Sequence, residues 1–176
     1  MAGPGLLMVR LDALPISAAA FAAFGTVIDT RGRAPEPIND GTTERFADLA
    51  ALDLRAPAGD PVLGIYVARA RRFPLAISRL ERHAQAAQVF LPLGMHRFVV
   101  VVAPGADAPD WDGLRAFVTD PGQGVSLRRG CWHHGLVALG DADRFAVLEG
   151  AAYRCDTLEA AAPGPIELEA PGFSSR

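Results

Sequence analysis

Six consecutive residues, Phe98-Val99-Val100-Val101-Val102-Ala103, constrain this chain more than any other stretch, because none is polar and the four central ones are β-branched. Valine loses side-chain freedom in a helix and packs well on a pleated surface, so the run reads as a strand buried on both faces. Such a strand needs a layer of other elements on each side. With 176 residues, half of them hydrophobic, the chain can supply those layers. The expectation is a single domain spanning residues 1–176 around one substantial core.

The segment just upstream sets polar groups beside that core. Leu80-Glu81-Arg82-His83 leads through a short link to Gln88-Val89-Phe90-Leu91-Pro92. Residues two apart share a strand face, so Glu81 and His83 point one way and Arg82 the other. A carboxylate and an imidazole beside a buried strand suit the wall of a cavity. A surface ion pair and a satisfied loop histidine suit the same residues, and the segment alone leaves both open.

The other elements are short. Val9-Arg10-Leu11 reads as a strand, and Ser17 as the N-cap of a helix, with Ile16 and Phe21 spaced as a hydrophobic staple and Gly25 as its stop. Thr26–Asp29 is a strand. Asn39-Asp40-Gly41 makes a turn into a polar segment that holds Arg45. Gly64–Ala70 has strand character with Ile65, Val67 and Arg69 on one face, where the arginine either snorkels to the rim or awaits an anion. Residues 108–114 suggest a capped helical turn, and Arg115–Thr119, Val125–Arg128 and Arg144–Leu148 are extended. His133 and His134, being neighbours on a strand, face opposite ways, so at most one of them readily reaches a given pocket; His134 is expected to serve packing or a dimer contact. The tail from about 160 to 176, with Pro163, Pro165 and Pro171, reads as a loosely attached arm. Many short strands between Gly/Pro turns argue for a mainly β sandwich or barrel with a few short helices.

Composition narrows the function. Seventeen basic and twenty acidic residues give a net charge of −3 with no long block of either sign, so neither nucleic acid nor a charged membrane surface is an expected partner. No apolar run is long enough to span a bilayer. Every basic residue is arginine, which excludes a lysine Schiff base or lysine base. The N-terminus lacks the pattern of a signal peptide, so a cytoplasmic location is expected, with Cys131 and Cys155 as packing thiols.

Two resemblances add a chemistry. Glu81-x-His83-x-x-x-x-Gln88-x-x-x-x-x-Gly94 and Gly130-x-x-His133 resemble the two motifs of a cupin-like double-stranded β-barrel, with Glu and Gln replacing two of its usual ligands. This implies that Glu81, His83, Gln88 and His133 share a cavity. The ordered set Asn39-x-Gly41-x-x-Glu44-Arg45-Phe46, Arg69, Glu81-Arg82-His83, Gln88-x-Phe90-x-Pro92, Phe98–Ala103, Leu114-Arg115-Ala116-Phe117, Gly122-Gln123-Gly124-Val125 and Trp132-His133-His134 resembles the ureidoglycolate lyase family over roughly residues 9 to 150. Ala47, Gly135 and the turn Gly94–Arg97 depart from it, since family members often have His, Pro and a different turn there.

The resemblance implies a cytoplasmic homodimer that cleaves ureidoglycolate to glyoxylate and urea in purine and allantoin catabolism. A hydrolase releasing ammonia from the same substrate, and a non-catalytic cupin binding a small carboxylic acid, are the alternatives. The implied acid–base groups are His83, His133 and Glu81. Arg69, Arg45 or Arg115 would hold the carboxylate, with Asn39 and Gln88 as amide contacts. No cofactor is expected, because the reaction can run on acid–base catalysis alone, although the donor types are compatible with a divalent metal.

Overall fold

The computed structural model describes residues 7–55, 59–151 and 156–172; Cys155 lies outside them. In chain order the elements are β1 (Val9–Leu11), β2 (Ala13–Pro15), α1 (Ala18–Phe21), β3 (Gly25–Ile28), β4 (Glu36–Ile38), β5 (Thr43–Arg45), β6 (Val62–Val67) and β7 (Leu75–Ala76). There follow β8 (Arg79–His83), β9 (Gln88–Pro92), β10 (Phe98–Ala103), β11 (Arg115–Val118), β12 (Gly124–Leu127) and β13 (Trp132–His133). The last four are β14 (Val137–Ala138), β15 (Arg144–Glu149), β16 (Thr157–Ala161) and β17 (Ile166–Leu168).

These strands make two large sheets. One runs β16-β8-β13-β10-β11-β2 with β14 also on β10, and the other runs β3-β12-β9-β15-β6. Between them lie Phe98, Val100 and Val102 of β10, packed with Phe90, Val125, Leu127, Phe145 and Val147 of the second sheet. The opposite face of β10 presents Val99, Val101 and Ala103 to Leu80, Trp132, Leu75, Ile166 and Leu168. All six residues of β10 are buried, as the apolar run predicts. Burying a Val or Phe side chain stabilises by about 1.5–3 kcal/mol, so this strand anchors both layers.

The mainly β expectation holds, but the sheets are not closed into a barrel. Among the described residues each large sheet ends on edge strands, β16 and β2 in one and β3 and β6 in the other. The tail differs more sharply from the sequence reading. Ile166-Glu167-Leu168 lies between β1 and β7, parallel to the first and antiparallel to the second, with Ile166 and Leu168 buried. Alternation puts both apolar side chains on the core side, a signal that the flanking prolines obscured.

Local expectations fare unevenly. Ser17 caps α1 by accepting from the Ala20 amide at 3.2 Å, and Phe21 is fully buried, but the helix lasts only four residues. Gly25 starts β3 instead of stopping a helix. A Cβ there would sit 2.0 Å from the Ser126 carbonyl oxygen, so close approach of β3 and β12 requires glycine. Residues 108–114 form no helix; the Asp110 carboxylate accepts from the amides of Asp112 and Gly113 in a turn. β6 ends at Val67, leaving Arg69 beyond the strand. Among the described residues no helix is long and apolar enough to cross a membrane.

Candidate active site

β8 builds the site by alternation. Leu80 points into the outer core and the Arg82 guanidinium lies over the Trp132 ring at 5.2 Å, so Arg79, Glu81 and His83 face the other way. His133 of β13 pairs in register with Glu81, and Thr157 of β16 pairs with His83. The Gly130-x-x-His133 spacing has a local cause: Gly130 takes φ +74° and donates its amide to the His83 carbonyl at 2.8 Å, which turns the chain back alongside β8.

Four of the residues expected at the site thus meet. Glu81 Oε1 lies 3.6 Å from His133 Nε2, and the rings of His83 and His133 are 5.4 Å apart. Gln88 Oε1 lies 3.0 Å from His133 Nε2 and the Cys131 carbonyl oxygen 2.9 Å from His133 Nδ1, so whichever ring nitrogen carries the proton has an acceptor. Two residues not foreseen continue the chain of contacts. Gln88 donates to Glu149 at 3.0 Å, and the Tyr66 hydroxyl donates to the other Glu149 oxygen at 2.7 Å. Behind His83, Thr157 Oγ1 is 3.1 Å and Asp156 Oδ1 3.6 Å from Nδ1.

Burial sets the charges. It pushes the Glu81 carboxyl above its usual range, with the neighbouring His83 working the other way. It pushes His133, fully enclosed, down to about 4, so this imidazole is neutral at physiological pH. His134 is lowered by burial too, and the charges of Arg71 and Arg79 add to the effect. The buried Cys131 thiol is raised to about 12, which removes it as a nucleophile and leaves it a packing residue of the inner core.

A cavity of about 360 Å³ opens beside this cluster, and its polar lining is Arg71, Ser78, Arg79, Glu81 and His134. Glu81 is the one member of the buried cluster on this wall; His83 and His133 sit behind it. A neighbouring cleft of about 390 Å³ shares Arg71 and Leu136 and holds Tyr66 and Arg69. Two guanidinium groups, a neutral imidazole and a hydroxyl suit a small carboxylate.

The other expected contacts lie elsewhere. Arg45 and Asn39 belong to the separate β4–β5 hairpin, where Arg45 pairs with Glu36 and the Asn39 amide faces Thr43. Arg115 shares the cross-strand row of His133, but Val102 stands between them and its guanidinium turns to the Leu114 carbonyl. None of the three lines either cavity. Arg79 was legible from the Arg79-x-Glu81-x-His83 alternation, whereas Arg71 had no sequence signal. His134 was expected on the opposite face for packing or a dimer contact. β13 ends at His133, so strand alternation does not extend to His134, which turns to the cavity.

One donor atom each of Glu81, His83 and His133 lies within 4.8 Å of the others, an arrangement able to hold a divalent cation. His83 Nε2 is buried with no hydrogen-bond partner among the described residues, which fits a lone pair offered to an ion or a proton. Of the family departures noted above, Gly135 lines the cavity, where an added Cβ would stand 3.8 Å from Glu81 Oε1. Ala47 is exposed and away from it.

Comparison with known proteins points to one family. A family model described as ureidoglycolate lyase matches residues 8–169. A protein of Burkholderia mallei named ureidoglycolate lyase is 44% identical over 142 residues, covering 81% of this chain and 83% of its own length. One of Azotobacter vinelandii with the same name is 45% identical over 144 residues, covering 81% and 87%. One of Stutzerimonas stutzeri, again so named, is 42% identical over 151 residues, covering 85% and 89%.

Proposed function

This chain belongs to the ureidoglycolate lyase family, and we propose that it cleaves ureidoglycolate to glyoxylate and urea. The observation that carries the reading is the Glu81 carboxyl, raised by burial, on the wall of a cavity that also holds Arg71 and Arg79. Ureidoglycolate is a hemiaminal with a carboxylate. Its cleavage moves one proton from the hydroxyl oxygen to the ureido nitrogen as the C–N bond breaks and the C–O bond becomes a carbonyl. Water is neither consumed nor released.

In this reading Arg71 and Arg79 hold the carboxylate, with Ser78 and His134 beside them. Glu81 takes the hydroxyl proton and returns it to the departing nitrogen. A carboxyl with a pKa moved toward neutrality serves both directions better than an exposed one, and such a group contributes about 10²–10⁴-fold in rate. Neutral His133, 3.6 Å from Glu81 Oε1, and His83 beside it lie behind the carboxyl and position it. Arg69 borders the neighbouring cleft, so it guides the ligand in and does not clamp it.

Acid–base catalysis without a cofactor is the version expected for this chemistry. A second version has a divalent cation on Glu81, His83 and His133, and the unpartnered His83 Nε2 favours it. Such an ion would supply Lewis-acid polarisation of the hydroxyl. Purified protein incubated with ureidoglycolate, with urea and ammonia measured separately and with chelator present or absent, tests all of this. Urea and glyoxylate in equal amounts are expected. Ammonia as the primary nitrogen product would make the protein a hydrolase, and no turnover with retained carboxylate binding would make it a binding module. Loss of activity on chelation, restored by a divalent cation, would select the second version. The same reading has the protein act as a cytoplasmic homodimer. Its support is likeness to the family, and light scattering tests the oligomeric state.

A further inference from the structure

We propose that Asp156 is a positioning residue that fixes the proton of His83 on Nδ1 and thereby leaves Nε2 as a bare lone pair within the buried cluster. The inference deepens the lyase reading and rests on it for the consequence for turnover.

The geometry starts from a carboxylate that is held but not satisfied. Asp156 immediately precedes β16, is buried, and accepts the Gln85 amide on Oδ2 at 2.9 Å. That bond ties it to the turn between β8 and β9. Its other oxygen, Oδ1, is buried with no hydrogen-bond partner among the described residues and stands 3.6 Å from His83 Nδ1. A carboxylate oxygen facing Nδ1 attracts an N–H and repels a bare lone pair, and the low-polarity surroundings strengthen both effects. Thr157 Oγ1, 3.1 Å from the same nitrogen, can accept that hydrogen.

A threonine alone would leave the choice open, because its hydroxyl can donate or accept. The carboxylate removes the ambiguity. With the proton on Nδ1, Nε2 becomes the acceptor of the ring, and it is the ring atom with no hydrogen-bond partner among the described residues. The opposite tautomer would bury an Nε2–H without an acceptor while aiming a lone pair at Asp156, two penalties in one arrangement. Carboxylate–imidazole pairs of this kind set which ring nitrogen does the chemistry. Either version of the reaction would use the same result, since Glu81 and any cation held beside it belong to the cluster that His83 joins.

The test reads the tautomer directly. In the uniformly ¹⁵N-labelled full chain, His83 ring shifts, assigned by their loss in His83→Gln, should show the proton on Nδ1. Asp156→Asn should move it toward Nε2 and lower kcat by about 10–100-fold with KM nearly unchanged. Asp156→Glu should keep the Nδ1 proton and recover part of the turnover, a rescue that a purely structural role would not produce. A wild-type His83 with its proton on Nε2 overturns the inference. So does a folded Asp156→Asn that keeps the wild-type tautomer and kcat. If Asp156→Asn does not fold, the wild-type spectrum decides alone. Should the wild type release no urea from ureidoglycolate, the lyase reading falls while the ring shifts still decide the role of Asp156.

Discussion

Glu81 and His133 face each other across the β8–β13 ladder, Oε1 to Nε2 at 3.6 Å, and only Glu81 of the pair reaches the cavity. In the proposed reaction substrate would meet the carboxyl, and the imidazole would act through it. Glu81→Gln should lower turnover by about 10²–10⁴-fold. Its unfolding midpoint at pH 7 should be no lower than wild type. Because burial raises the folded-state pKa of Glu81, its contribution to stability is complete below the unfolded value and fades as pH rises through the folded one. Removing the charge removes that loss. Thermal unfolding of both proteins at pH 5 and pH 7 checks the sign.

His133 predicts the opposite trend in acid. Its pKa falls from 6.5 to about 4 on folding because burial opposes the charged ring. A depressed value of this kind means stability is complete above the unfolded pKa and is lost as pH falls from about 6.5 through 4. The whole effect is on the order of 3 kcal/mol. The wild type should therefore weaken steeply over that window in urea titrations, and His133→Asn should flatten the slope. An equal slope in the variant would assign the acid sensitivity to another group.

How much of this was legible in the sequence depends on the length of the contact. β10 was legible because six apolar residues need no partner information. The convergence of Glu81, His83 and His133 followed from alternation together with a family-like order of motifs. Arg71 and Glu149 were not legible, because they reach the site through sheet pairing and chain turns that no local pattern encodes. Asp156 meets His83 across 73 positions of chain for the same reason. Asn39 and Arg45, which the resemblance carried over, sit on the β4–β5 hairpin, and that hairpin pairs with no other sheet among the described residues.

The carboxylate clamp separates the arginines. Arg71 lines both cavities and has no ion-pair partner among the described residues, whereas Arg45 is engaged with Glu36 on an exposed hairpin. Lysine keeps the charge but loses the planar fork. Arg71→Lys should raise KM by roughly 10-fold, the order expected when a charge-assisted hydrogen bond of about 1.5–3 kcal/mol is weakened. Arg45→Lys should leave steady-state kinetics unchanged. The reverse ranking would move the carboxylate off the cavity wall.

The adjacent histidines should fail in different ways. His133 is buried behind Glu81 between Gln88 Oε1 and the Cys131 carbonyl, so His133→Ala should depress kcat and, by opening a void in a packed polar cluster, also lower the unfolding midpoint. His134 lies past the end of β13, with Nδ1 donating to the Gly135 carbonyl at 2.8 Å and Arg71 and Arg79 close enough to oppose its protonation. It touches the region where the carboxylate would sit and not the proton path. His134→Ala should therefore raise KM more than it lowers kcat, with a smaller loss of stability. Measuring kcat, KM and midpoint for both variants decides the matter. A collapse of kcat in a stable His134→Ala, beside normal turnover in His133→Ala, would place the proton chemistry on the outer histidine and leave the registered pair with Glu81 a packing feature.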